Sequence, residues 1–181
     1  NICWTLPYIE EFCDRNKEIL HTDKGVENER NVIRESVRDF AESLRPKSRG
    51  KPIQFRDYQI DAIWHAIQSN RCLLLSPTAS GKSLIIYTLV RYYHLMKLKT
   101  LILVPTTSLV EQMYSDFIDY GWEDKHIHRV YAGHDKGSKK PVVISTWQSL
   151  YKLHRKYFEQ YGCIIGDEAH LFKAKSLTDI M

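Results

Sequence analysis

The apolar run Cys72-Leu73-Leu74-Leu75 passes directly into Ser76-Pro77-Thr78-Ala79-Ser80-Gly81-Lys82-Ser83, and from there into the apolar-periodic stretch 84–95. Four consecutive apolar residues read as a buried parallel strand. Pro77 and Gly81 punctuate a turn, and the spacing after Ser83 predicts a helix. A helix N-terminus offers unpaired N–H groups and the positive end of its dipole, so this strand–loop–helix unit is built to hold an anion. Gly81-Lys82-Ser83 completes the pattern G-x-x-x-x-G-K-[ST] of a phosphate-binding loop, with Ser76 where the first Gly stands. In that pattern Thr78, Ala79, Ser80 and Gly81 cradle phosphates, Lys82 reaches the β- and γ-phosphates of ATP, and the Ser83 hydroxyl holds Mg²⁺. Alone, the stretch also fits a polar βα turn that carries a lysine.

The remainder of the chain supplies a sheet for this loop. Helix periodicity spans 58–67, and 100–104 is a second buried strand followed by a crossover helix at 109–120. Alternation at 127–131 predicts a third strand, 142–145 a fourth and 163–165 a fifth, with a polar, basic loop at 132–141 and a helix over 147–161. Strands alternating with helices predict an α/β fold, a mostly parallel sheet with helices on both faces, whose ligands sit at the carboxyl ends of the strands. With 181 residues, 43% of them hydrophobic, the chain can bury a real core. The net charge of +4 permits a polyanionic partner without requiring one. No stretch reads as a membrane span or signal peptide. Cys3, Cys13, Cys72 and Cys163 lack metal-ligand spacing and read as reduced thiols of a cytoplasmic protein.

Residues 1–52 read as a small, mainly helical accessory region ending in a basic linker, and residues 53–181 as the main domain. Leu6, Ile9, Phe12 and Cys13 line one helix face, and Val32, Ile33, Val37, Phe40 and Leu44 a second. Arg30, Arg34 and Arg38 interleave with Glu27, Glu35, Asp39 and Glu42, which favours a solvated ion-pair face over nucleic-acid contact. In contrast, 45–52 (Arg-Pro-Lys-Ser-Arg-Gly-Lys-Pro) is basic without acidic relief and reads as a linker, with phosphate contact as the alternative. The chain starts without Met and stops at Met181 inside the expected start of a helix, so both ends are expected to be cut.

The buried strand Ile164-Ile165-Gly166 ends in Asp167 and Glu168. Two acids at a strand tip often only cap the next helix. Beside a phosphate loop they acquire chemistry: Asp167 holds Mg²⁺, and Glu168 polarises the attacking water.

Asp167-Glu168-Ala169-His170 spells the DEAH box of the superfamily 2 helicases and translocases, and the chain resembles that family from about Phe55 to His170. Arg56 and Gln59, within Phe55-Arg56-Asp57-Tyr58-Gln59, resemble the family segment whose Gln reads the adenine edge. The resemblance makes 53–181 a first RecA-like domain, with Lys82, Asp167, Glu168 and His170 catalytic. It places a nucleic-acid strand on Thr106, Thr107 and Ser108, the short segment around Gly133, and Thr146; helix capping is the simpler reading of the first three. Trp147 reads as a core ring before a base-stacking one. Asp116-Phe117-Ile118-Asp119-Tyr120 and Pro141–Gln148 are similar to the bacteriophage UvsW-type recombination helicases. The resemblance implies ATP-driven work on branched or duplex DNA in recombination, repair or fork processing. The expected molecule is a monomer in the host cytoplasm that closes on a second RecA-like domain of the same polypeptide, where the family keeps its arginine fingers. A restriction-enzyme motor subunit, an RNA helicase and a nucleic-acid-binding module with a vestigial nucleotide site are the alternatives.

Overall fold

The computed structural model of the chain describes residues 32–69, 72–74, 76, 80–131, 137–150 and 152–168. In chain order these form α1 (Arg34–Ser43), β1 (Lys47–Ser48), β2 (Lys51–Pro52), α2 (Asp57–Gln68), α3 (Lys82–Leu95), β3 (Thr100–Val104), α4 (Thr107–Asp119), β4 (Ile127–Val130), β5 (Val142–Thr146), α5 (Trp147–Leu150) and β6 (Cys163–Gly166). The last four strands make one sheet in the order β4-β5-β3-β6, with every neighbouring pair parallel. Parallel neighbours need crossovers, and the α4 crossover returns the chain from β3 to the sheet edge at β4.

Alternate residues of β3 feed two cores. Ile102 and Val104 join Ile144 of β5, Ile165 of β6, and the apolar faces of α2, α3 and α4, where Ile63, Ile86, Tyr87 and Phe117 are all 0% exposed. Leu101 and Leu103 point the other way, onto Val130, Val143, Leu150 and Phe158. A central strand buried on both faces explains why 100–104 reads as an unbroken apolar run rather than an alternating one. Among the described residues no helix is long and apolar enough to cross a membrane.

Three expectations are corrected. The helix expected over 147–161 is instead the four-residue α5 and a separate 3₁₀ turn, Arg155–Gln160. Leu153 N–H closes back on Leu150 O at 2.8 Å, and His154 accepts from Lys156 N–H at 3.3 Å. These local bonds end one turn and start another, while Leu150 and Phe158 still reach the core. Of the strand expected at 72–75, Cys72 is buried and Leu74 makes a single bridge; Leu75 lies outside the described residues. The linker expected at 45–52 contains an antiparallel hairpin, with Lys47 opposite Pro52 and Ser48 opposite Lys51. Arg49 (φ 50°) and Gly50 (φ 76°) form its tip, and positive φ at both central residues is the signature of a type I′ hairpin turn.

The arginines of α1 do pair, but mostly with another helix. Arg34 Nε meets Asp61 at 2.5 Å and Arg38 Nη2 meets Asp57 at 2.5 Å, both acids of α2. Arg38 also lies 3.8 Å from Glu42. Val37, 2% exposed, anchors α1 in the main core, and Trp64 Nε1 donates to Val32 O at 2.7 Å. The helix face expected at Leu6–Cys13, together with Arg30, Cys3 and Cys13, falls outside the described residues.

Candidate nucleotide site

The loop into α3 is held from behind by α2. Gly81 caps α3 in the left-handed region (φ 78°, ψ 37°), a conformation that a side chain resists. A Cβ there would also lie 2.4 Å from Gln59 Nε2. Gln59 is 5% exposed: its Oε1 accepts from Arg56 N–H at 3.0 Å, and its Nε2 donates to Ser80 O at 3.0 Å. Tyr58 Oη donates to the same carbonyl at 2.7 Å. The Gln59 amide therefore clamps the loop, and keeps one N–H and one oxygen lone pair for a further partner. Arg56 is exposed, with Nη1 donating to Tyr58 Oη at 3.2 Å. Ser76, the departure from the expected Gly, hydrogen-bonds the Ser80 hydroxyl, so the unexpected letter closes the loop upon itself. Thr78 and Ala79 lie outside the described residues.

Because the backbone angle strains any side chain at this position and a Cβ would push the Gln59 amide off its bond to Ser80, Gly81→Ala is expected to lower unfolding free energy by about 1–3 kcal/mol. Nucleotide affinity should fall with it. Denaturant unfolding and nucleotide titration of the variant check both.

The tip of β6 approaches the loop from the sheet. Asp167 N–H donates to Leu103 O at 2.8 Å, which extends the β3–β6 ladder by one residue and leaves the Asp167 side chain 7% exposed at the strand end. Burial raises the proton affinity of its carboxyl, with Glu168 adding to the rise, while Lys82 and the Glu168 N–H oppose it. A desolvated carboxylate in this state gains from a cation, and in chemistry and position it fits a divalent ion. Glu168 sits at φ 55°, uncommon for a residue with a side chain. Its N–H donates to Asp167 Oδ1 at 3.0 Å, and its Oε1 meets Lys82 Nζ at 2.5 Å across 86 residues of sequence. His170 lies outside the described residues.

Ser83, the second residue of α3, has a protein partner on the neighbouring crossover. Its hydroxyl hydrogen-bonds Tyr120 Oη at 2.8 Å, on the residue that caps the C-terminus of α4. Burial raises the pKa of both Asp116 and Tyr120, and the Ser83 hydroxyl counters each rise. The Tyr120 ring packs edge-on against Tyr87 at 5.3 Å. Tyr120 is legible in the sequence only as a family-like letter; its contact with Ser83 spans 37 positions.

The expected nucleic-acid residues divide by exposure. Thr106, Thr107 and Ser108 are exposed at the start of α4, where Thr106 Oγ1 accepts from Leu109 N–H at 3.3 Å and bonds Ser108 Oγ at 2.9 Å. Capping is thus one role of Thr106. Thr146 is 5% exposed and bonds Ser149 Oγ at 2.8 Å. Gln148, which the sequence did not single out, donates to Pro105 O at 3.1 Å and joins the two segments. Trp147 packs on the second core. Gly133 lies outside the described residues.

Residues 52–181 match the family described as "Type III restriction enzyme, res subunit". The chain belongs to this family. It is 35% identical over 179 residues to the ATP-dependent DNA helicase uvsW of enterobacteria phage T4, covering 96% of this chain and 36% of that protein. It is 29% identical over 148 residues to the DNA 3′-5′ translocase XPB2 of Sulfurisphaera tokodaii, covering 82% and 30% respectively. Two crystal structures of the phage T4 UvsW helicase superpose with TM-scores of 0.81 and 0.82 at 34% and 33% identity. Each covers 97% of this chain, but only 64% and 37% of the other. The chain therefore spans about a third of the length of these curated relatives. The superfamily 2 resemblance read from the DEAH box is upheld, and the fold is that of a RecA-like domain preceded by a partly helical N-terminal region.

Proposed function

We propose that residues 53–181 are the ATP-binding half of a DNA helicase or translocase motor, with residues 1–52 accessory to it. The reading is carried by one observation: Lys82 of the phosphate-loop helix meets Glu168 at the tip of β6, beside the buried Asp167. Two segments that are each ambiguous alone thus converge on one spot at the carboxyl end of a parallel sheet, where ligands of such sheets bind.

In this reading Lys82 and the α3 N-terminal N–H groups hold the triphosphate, and Gly81 lets the backbone approach it. Gln59 braces the loop and offers its remaining N–H and lone pair to adenine, with Arg56 beside it. Asp167 and the Ser83 hydroxyl are the residues that would hold Mg²⁺, which when bound neutralises charge building on the phosphates. Holding it requires Ser83 to turn from Tyr120. Glu168 orients and deprotonates the attacking water once Lys82 leaves it for phosphate, and His170 follows it in the motif. Thr106, Thr107, Ser108, Gly133 and Thr146 form the nucleic-acid side of the motor, the first three already presented to solvent. A second RecA-like domain of the same polypeptide would complete the site, in a monomer working in the host cytoplasm.

The relatives' names, a DNA helicase and a DNA translocase, support DNA over RNA as the track. Branched and duplex DNA are therefore expected to stimulate ATP hydrolysis by the full-length protein, whereas RNA of equal length is not. Equal stimulation by RNA would move the assignment to the RNA helicases. An absence of both ATP binding and stimulation would leave a binding module.

A further inference from the structure

The basic hairpin takes no part in the nucleotide site. Arg45, Lys47, Arg49 and Lys51 are all exposed, and no acidic residue occurs between 45 and 52. Elsewhere in the fold several basic side chains are ion-paired, as in Arg34–Asp61, Lys82–Glu168 and Arg129–Glu111; Lys97, Arg155 and Lys156, without an ion pair among the described residues, are not gathered on one turn together with a fourth cation. The four cations of the hairpin have no ion pair among the described residues. The register puts Lys47 opposite Pro52 and Lys51 opposite Ser48, so no two cations directly oppose each other and the charges fan out at little mutual cost.

The backbone that carries them is fixed. Ile53 N–H donates to Pro46 O at 2.9 Å, closing the hairpin base. Arg49 N–H donates to both oxygens of Asp119, at 3.0 and 2.9 Å, tying the tip to the end of α4. Asp119 is the acid on α4 bound to the tip, and this bond goes to the Arg49 backbone rather than to its guanidinium. Arg45 (φ 47°) and Arg49 (φ 50°) both occupy the left-handed region, which an ordinary side chain adopts at a cost, and neither buries its side chain in return. A backbone-anchored turn that presents exposed cations without ion pairs, Lys47 on one face of the hairpin and Lys51 on the other with Arg49 at the tip, suits an extended polyanion that wraps around it.

We infer that the 45–52 hairpin is a phosphate-gripping finger that binds the sugar-phosphate backbone of DNA, a contact site separate from Thr106–Ser108. It extends the DNA partner of the proposed function and acts without sequence preference, since phosphates carry no base information.

Salt dependence tests it. Each lost phosphate contact makes the slope of log K against log salt shallower by about 0.9 on duplex DNA. The triple substitution Lys47→Gln, Arg49→Gln and Lys51→Gln in the full-length protein should therefore flatten that slope by about 2.7, read by anisotropy of a labelled duplex. ATP binding and thermal stability should stay close to those of the unaltered protein. A charge-matched control, Lys97→Gln, Arg155→Gln and Lys156→Gln, removes exposed cations elsewhere in the fold and should leave the slope nearly unchanged. An unaltered slope in the hairpin variant, or an equal change in the control, overturns the inference. Neither result touches the motor reading, which fails instead if the unaltered protein shows no DNA-stimulated hydrolysis.

Discussion

Glu168→Gln in the full-length protein is expected to retain ATP binding and lose hydrolysis by about 10²–10⁴-fold, the usual contribution of a positioned general base. The geometry adds a sharper expectation. Glu168 Oε1 lies 2.5 Å from Lys82 Nζ, so the carboxylate holds the ammonium proposed to bind the phosphates. Glutamine is isosteric and uncharged, and it weakens that hold. ATP should accordingly bind at least as tightly to the variant while turnover collapses. Equilibrium titration beside steady-state hydrolysis reads both quantities. Retained turnover would remove Glu168 from the water-polarising role, and weakened binding would make it a structural support of the loop.

Lys82→Ala is expected to act on the opposite quantity. A hydrogen bond to a charged group contributes about 1.5–3 kcal/mol, so ATP·Mg²⁺ affinity should drop by at least roughly 10–100-fold. Hydrolysis should fall further, because the lysine also faces charge that grows in the transition state. The alanine leaves Glu168 at the tip of β6 without the ammonium, yet the fold should persist, since Lys82 and Glu168 stand at the rim with side chains 19% and 29% exposed. An affinity equal to that of the unaltered chain would end the nucleotide-site reading of this loop. Together the two variants separate binding from chemistry.

The sheet was legible in the sequence because buried parallel strands announce themselves by composition. Thr100–Val104, covered on both faces, matches its expected bounds, and β4, β5 and β6 differ from theirs by a single residue at one end. The helix over 147–161 failed because apolar spacing reports which side chains face the core, not whether the backbone between them is continuous; Leu150 and Phe158 reach one core from two separate turns. The hairpin at 45–52 was missed because two-residue strands with exposed side chains leave no periodic trace, and Arg-Gly is not among the usual type I′ pairs.

For the candidate site, the sequence alone determined which patterns are present and their order: a loop of phosphate-binding pattern ending in Lys82-Ser83, two acids at a strand tip, and Gln59 ahead of them. These are local patterns, and a motif needs only its neighbours in the chain to be recognised. What the tertiary structure decided is which groups touch. It brought Lys82 onto Glu168, set the Gln59 amide against Gly81 where a Cβ would displace it, closed the loop through Ser76 and Ser80, and turned the Ser83 hydroxyl to Tyr120 at the end of α4. Apart from the Ser76–Ser80 clasp, those contacts join residues more than twenty positions apart. Their geometry follows from how α2, α3 and α4 pack on one face of the sheet, which no local pattern of residues encodes.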